Sequence, residues 1–269
     1  MNYNYHIFDE KQINPLMKIN FGEDFSVKRA TAFGIENRET SNVIFDESLS
    51  NKTVVIDIEN CAITHFNAVF LKAVENAKLI INVGKKSAIS LVFCEISHLN
   101  IELDIEINLL ANESRAEVNI ASIGLEDSTK NYDIKVNHLA QFTKSNVILR
   151  GISNDRSLIR FLPHSKIAPK TVGCEVYQDN RIINLKDESR GIIKPMLMIN
   201  NNEVKAKHSA VLGNVKDEEI FYLLSRGIEE PEARLLIIKG LVKPTLDLYP
   251  DFEEKEKFKI VLERGITRA

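Results

Sequence analysis

The sequence predicts a mainly β chain built as a solenoid and followed by a short helical tail. Three observations predict it. Short runs of alternating apolar residues recur from about Phe25 to Leu212, the hairpin dipeptides Asn-Gly and Asp-Gly are absent, and the spacing turns helical at Asp217.

The runs are NVIF (42–45), TVVIDI (53–58), KLIINV (78–83), AISLVF (88–93), LNIELDIEINL (99–109), AEVNIASI (116–123), YDIKVNHL (132–139) and SNVILRGI (145–152). In the fifth, Ile101, Leu103, Ile105, Ile107 and Leu109 share one strand face, leaving Glu102, Asp104, Glu106 and Asn108 on the other. No helical pattern separates the runs, which argues against a βαβ sheet and leaves a sandwich, a barrel or a solenoid. The missing hairpin signals favour the solenoid. So do the many strands in a chain with 11 glycines, and the asparagines Asn60, Asn67, Asn76, Asn82, Asn100, Asn108 and Asn119, read as left-handed corners.

In the tail, Asp217 reads as an N-cap, with Ile220, Leu223 and Leu224 on one helical face and Gly227 as the stop. Pro231 suits the start of a second helix, whose stripe Ala233, Leu236, Ile237, Gly240 and Leu241 is expected to end at Pro244. A third helix spans about 252–264, with Phe258, Val261 and Leu262 on its apolar side. The expected organisation is an N-terminal extension (1–24), a β-solenoid core (25–213) and a helical region (214–269).

Composition excludes several functions. Lysine and arginine total 35 against 38 acids, for a net charge of −3, which leaves no basic excess for nucleic acid. No apolar stretch approaches the roughly 20 residues that cross a bilayer, and the N-terminus lacks an apolar signal core, so a cytoplasmic protein is expected. Cys61, Cys94 and Cys174 are odd in number and far apart, giving neither a disulfide framework nor a local zinc site. Cys61 and Cys94 read as core, and Cys174 as a small buried hydrophobe. The acids of 102–106 read as a solvated face, His138 and His164 as packed residues, and PHSK (163–166) as a turn. Neither GxxxxGK[ST] nor GxSxG occurs, so no ATPase or hydrolase motif is present.

His208 is the one side chain singled out. It lies in EVKAKHSAVLG (203–213), just before the helix start. Imidazole can ligate iron and shuttle a proton near neutral pH. The plainer reading is a strand histidine satisfied by a backbone partner.

EVKAKHSAVLG (203–213), DEEIFYLLSRGI (217–228) and EARLLIIKGLV (232–242), in that order and spacing, resemble the C-terminal part of the SufB/SufD family, scaffold proteins of iron–sulfur cluster assembly. A weaker likeness runs through His138, Thr143, Ser145, Gly151 and RIINLKDESRGIIKPMLMI (181–199), while residues 1–130 match only in strand-rich character. The chain looks shorter than typical members, without much of their N-terminal helical region.

The resemblance implies a right-handed parallel β-helix with C-terminal helices. It implies pairing through the β-helix with a SufB/SufD-like scaffold or a second copy of this chain. It places Phe221, Tyr222, Leu224, Arg226 and Gly227 in the region that binds SufC, an ABC-type ATPase. His208 matches the family's interface histidine, which makes it the candidate for cluster assembly and iron ligation. The cluster would be transient and interfacial, and the scaffold itself no enzyme. SufB-type members carry an upstream cysteine, and counting without gaps places Asn180 there. Ser209 stands where SufB-type members have glutamate and SufD-type members usually glycine. The chain is therefore SufD-like, and alone it is expected to hold little or no iron. Two alternatives stay open: a SufD relative that only binds partners, and an intracellular carbohydrate-active β-helix enzyme.

Overall fold

The computed structural model describes residues 17–20, 29–35, 38–45, 50–70, 73–249 and 252–267. Among them the chain forms β1 (Met17–Asn20), β2 (Arg29–Ile35), β3 (Arg38–Phe45), β4 (Thr53–Ile58), β5 (Ala62–Phe70), β6 (Val74–Val83), β7 (Ala88–Ser97) and β8 (Ile101–Leu109). There follow β9 (Arg115–Gly124), β10 (Thr129–His138), β11 (Lys144–Ser153), β12 (Leu158–Ile167), β13 (Glu175–Asn184), β14 (Arg190–Ile193), β15 (Met196–Ile199) and β16 (Lys205–Asn214). Three helices close the order: α1 (Asp217–Ser225), α2 (Glu230–Leu248) and α3 (Phe252–Thr267).

Strands alternate between two sheets. One runs β1-β4-β6-β8-β10-β12-β14, with β15 also on β12, and the other β16-β13-β11-β9-β7-β5-β3-β2. From β3 and β4 onward every pairing is parallel, so each rung of the solenoid contributes one strand to each sheet. The parallel β-helix expected from the sequence is the fold. Its first turn departs from that pattern. β2 and β3 pair antiparallel, and β1 runs antiparallel to β4. Of the expected extension 1–24, β1 alone lies within the described residues.

The corners repeat in backbone angle rather than in letters. Cys61 (φ 64), Lys86 (φ 56), Glu113 (φ 64), Phe142 (φ 57) and Gly173 (φ 67) all take the left-handed conformation. Each precedes a small buried residue opening a second-sheet strand: Ala62, Ser87, Ser114, Thr143 and Cys174. Cys61 is thus an exposed corner residue, not the core residue expected. Of the seven asparagines read as corners, only Asn76 (φ 48) has a positive angle. Asn60 and Asn100 act through their side chains, each Oδ1 accepting a backbone N–H of the next rung, from Lys85 (2.7 Å) and Thr129 (2.9 Å). Asn82 and Asn108 sit mid-sheet in an amide ladder. Asn82 Nδ2 donates to Asp57 (2.7 Å), Asn108 Nδ2 to Asn82 (3.0 Å) and Asn137 Nδ2 to Asn108 (2.9 Å). Asn67 and Asn119 are buried within β5 and β9.

Inward side chains stack in columns along the solenoid. On the first sheet Val54, Leu79, Ile105 and Ile134 form one, and Ile56, Ile81, Ile107 and Val136 the next. Each fully buried aliphatic is worth about 1.5–3 kcal/mol over exposure, so these columns dominate the stability of the coil. One charged pair crosses this interior. Lys130 Nζ donates to Glu95 Oε1 (2.7 Å), Ser97 Oγ (2.7 Å) and the Leu99 carbonyl, while Ser122 Oγ donates to Glu95 Oε2 (2.9 Å). Burial pushes the Glu95 carboxyl up and the Lys130 ammonium down, each against the pull of the other.

The outer faces of the two sheets differ. The first is solvated, its acids facing lysines such as Lys78, 3.9 Å from Glu106. The second is covered over the later half of its strands. Val92, Cys94, Ile96, Ala121, Ile123, Ile152 and Ile183 pack there against Ile238, Leu241, Val242, Leu246, Tyr249, Phe258 and Leu262 of the tail. The helices therefore lie along the flank of the coil instead of capping its end. This also explains α2 running through Pro244, where the sequence suggested a stop. Proline removes the bond to the Gly240 carbonyl, but Thr245 and Leu246 beyond it are buried on the sheet. Asp217 opens α1 as its first helical residue; the N-cap position belongs to Lys216, which makes no side-chain cap bond.

Candidate functional site

β16 is the last rung of the second sheet, and its burial differs from every earlier strand of that sheet whose side chains are described. All of its residues are exposed or half-exposed. The strand continues through Leu212 and Gly213 to Asn214. Register places His208 beside Gln178, with Ala206, Ala210 and Leu212 beside Val176, Asn180 and Ile182. Those four partners are buried in the lumen, so His208 belongs to the inward-facing file. Leu212 confirms the direction. A Cβ on Gly191 would sit 2.5 Å from Leu212 Cδ1 and 2.6 Å from Ile182 Cγ2, an approach only glycine permits. His208 is nevertheless exposed, because no further rung covers it. Lys205 and Lys207 fall on the opposite face and do not flank the imidazole. Lys205 lies 3.9 Å from Glu175, and Lys207 sits over the Tyr177 ring at 6.0 Å.

The backbone of β16 is equally asymmetric. The Lys205 N–H donates to the Cys174 carbonyl (2.9 Å), which fixes the phase of the parallel ladder. Odd residues bond to β13, and Ala206, His208, Ala210 and Leu212 turn their N–H and C=O groups to the open edge. Beneath His208 the lumen is polar. Gln178 Nε2 donates to Ser165 Oγ (2.8 Å), while Gln178 Oε1 and Asn180 Oδ1 are buried without partners. Asn180, at the position where a cysteine was expected, donates through Nδ2 to the Ser209 carbonyl (3.1 Å).

Upstream, Cys174 is buried with Ile167 and Val176, its Sγ 3.3 Å from Thr143 Oγ1. His138 bridges Thr143 (2.8 Å from Nδ1) and Ser145 (2.8 Å from Nε2). Thr143 already donates to the Ala140 carbonyl, so the His138 Nδ1–H donates to Thr143 Oγ1. Burial lowers its pKa to about 4 against an opposing hydrogen bond with the Thr143 backbone, so the ring is neutral near pH 7. His164 is on the outer face of the first sheet, 3.6 Å from Asp133, and PHSK is part of β12, not a turn. Among the described residues, no three His, Cys, Asp or Glu side chains converge as a metal site.

α1 carries the other candidate surface. Ile220 alone is buried; Phe221 (72% exposed), Tyr222 (57%) and Leu224 (42%) face solvent. Arg226 stacks over Tyr222 at 5.3 Å. Gly227, at φ +83, ends the helix: its N–H bonds Leu224 O (2.9 Å) and the Ile228 N–H bonds Leu223 O (3.3 Å), a Schellman pair. Sequence reasoning missed Asp179 and Gln178, because nothing in YQDN marks which of its residues face the lumen.

The chain is thus a parallel β-helix with an exposed last strand and a flanking helical tail. A model for the SufBD core domain of SUF-system FeS cluster assembly matches residues 28–241. The chain belongs to this family. It is 26% identical over 159 residues to the iron–sulfur cluster assembly protein SufD of Bacillus subtilis, an alignment spanning 59% of this chain and 36% of that protein. Over 131 residues it is 28% identical to a SufBD family protein of Synechocystis, covering 48% of this chain and 27% of the relative. A SufBD family protein of Pyrococcus horikoshii is 31% identical over 122 residues, 44% of this chain and 27% of the relative. These alignments thus span about a third or less of the relatives' length. Among the described residues no helix is long and apolar enough to cross a membrane.

Proposed function

We propose that the chain is a non-enzymatic scaffold subunit of a Suf-type iron–sulfur assembly complex, working in the cytoplasm. It pairs through the open end of its β-helix with a SufB/SufD-like scaffold or a second copy of itself, and α1 binds an ABC-type ATPase. The observation that carries this reading is β16: ten residues whose outer backbone edge pairs with no strand among the described residues, exposed apolar Val211 and Leu212, and one imidazole. Unpaired edges invite strand addition, and natural proteins rarely leave one this long without a partner. His208 supplies at most one ligand to a cluster carried as cargo, so a second subunit must complete the set.

The test is co-purification from cells expressing the chain with its genomic partners, followed by iron and sulfide assay of the complex. Tyr222→Ala and Arg226→Glu should each weaken ATPase capture at least about tenfold while the β core stays folded; undiminished capture by both would leave the tail as a flank cover only. A complex that never gains iron or sulfide would favour the partner-binding alternative.

A further inference from the structure

On the outer face of β16, beside the looser contacts of Lys205 and Lys207, one short hydrogen-bonded relay reaches two strands into the coil. Ser209 Oγ donates to Asp179 Oδ1 (2.5 Å) on β13, and Asp179 Oδ2 accepts from Arg150 Nη2 (2.5 Å) on β11. Arg150 also donates through Nη1 to the Asp179 carbonyl (2.8 Å). The relay is sheltered, with the Arg150 and Asp179 side chains 17% and 28% exposed. From the lumen side, Asn180 Nδ2 holds the Ser209 carbonyl, so this one residue is gripped from both faces of the sheet. Beyond Asn214 only Val215 and Lys216 separate the strand from α1.

Between this part of the sheet and the helices lies a cleft of about 480 Å³, lined by Arg150, Asp179 and Arg181 below and Glu219, Gly240 and Pro244 above. The cleft is roofed mainly by α2 and meets α1 only at Glu219; α1 packs on α2, while α2 and α3 also rest on β7, β9 and β11.

We propose that Ser209–Asp179–Arg150 is a latch and Asp179 a positioning residue, holding β16 to the coil so that a pull on α1 is resisted or passed into the strand that carries His208. The purpose assigned to the latch rests on the scaffold reading; the latch itself does not. When closed, the relay keeps strand and helix start as one unit with the body. When opened, 205–225 loosens together while the seated helices stay.

Hydrogen–deuterium exchange on the full-length chain tests this without ATPase or metal. Ser209→Ala removes one hydroxyl and should raise amide exchange in 205–214 at least about tenfold, carry 217–225 with it, and leave 115–124, 144–153 and 238–246 unchanged. Ser209→Thr keeps the hydroxyl and should restore protection. Asp179→Ala should reproduce Ser209→Ala; if it fails to fold, Ser209→Ala alone decides. Unchanged exchange in 205–214 overturns the latch, and a rise there with 217–225 unaffected overturns the coupling. Failure of the wild-type chain to capture an ATPase would sink the scaffold reading and leave these exchange results standing.

Discussion

The middle rungs and the last two rungs of the coil follow identical columns with different chemistry. One column reads Phe66, Leu91, Val118, Val147, then Gln178 and His208; its neighbour reads Ala68, Phe93, Ile120, Leu149, then Asn180 and Ala210. On the first sheet Ile56, Ile81, Ile107 and Val136 lead to Ser165, whereas Ile58, Val83, Leu109 and His138 lead back to Ile167. Strand geometry does not change along these files. What changes is the neighbour above: a middle residue is covered by the next rung, while one in the last rung has nothing over it. An inward position in a solenoid is buried only by continuation, and the files through Gln178, Asn180 and Ser165 turn polar as the coil ends.

The comparison breaks most visibly through large-to-small substitutions. Leu103, fully buried in a middle rung, should lose about 3 kcal/mol on change to Ala, from transfer and the cavity left behind. Leu212 also points inward but is 50% exposed, and Leu212→Ala should cost below about 1 kcal/mol. Urea unfolding of the two variants measures the contrast. Similar losses would mean that the last rung is as closed as the middle ones.

The polar turn itself can be sharpened by pH. His138 is held neutral by burial, with its pKa lowered to about 4. A lowered histidine stabilises the fold fully above its unfolded value near 6.5, and that stability drains as pH falls from about 6.5 toward 4. Between pH 7 and pH 5 the loss should be about 2 kcal/mol. His138→Gln keeps a polar group at the site but cannot titrate, so the pH 7-to-5 difference in unfolding free energy should shrink by that amount. An unchanged slope would show that His138 protonates in the folded chain.

Much of this was legible in the sequence, for local reasons. Period-two alternation located strands such as Thr53–Ile58 and Ile101–Leu109 almost to the residue, because one face of each is packed in the lumen. The corners were not legible as letters: left-handed positions hold Lys, Glu and Phe as often as Gly, since rung-to-rung backbone bonds enforce the angle. Pro244 was misread because local propensity lost to burial on the sheet flank. At the candidate site, the sequence singled out His208 and the exposed aromatic pair of α1. It could not show that Lys205 and Lys207 face away from His208, nor that Asn180 is committed to a backbone bond with Ser209. Both facts depend on register, which is set by rungs far away in sequence.

The smallest expected stability effect belongs to His208. Its column neighbour Gln178 is fully buried and bonded to Ser165, whereas His208 is exposed at the same inward position one rung on. Truncation there removes no buried contact, so His208→Ala should change unfolding free energy by no more than about 0.5 kcal/mol, as at ordinary surface sites. If the imidazole instead closed the lumen in place of a missing rung, loss of its hydrogen bonds would cost about 1–3 kcal/mol. Function should separate from stability here. Under the scaffold reading, His208→Ala abolishes cluster delivery in cells while ATPase capture, which depends on α1, persists. A variant that is both fully stable and fully active would leave the open end of the coil as a pairing surface, with its histidine a bystander.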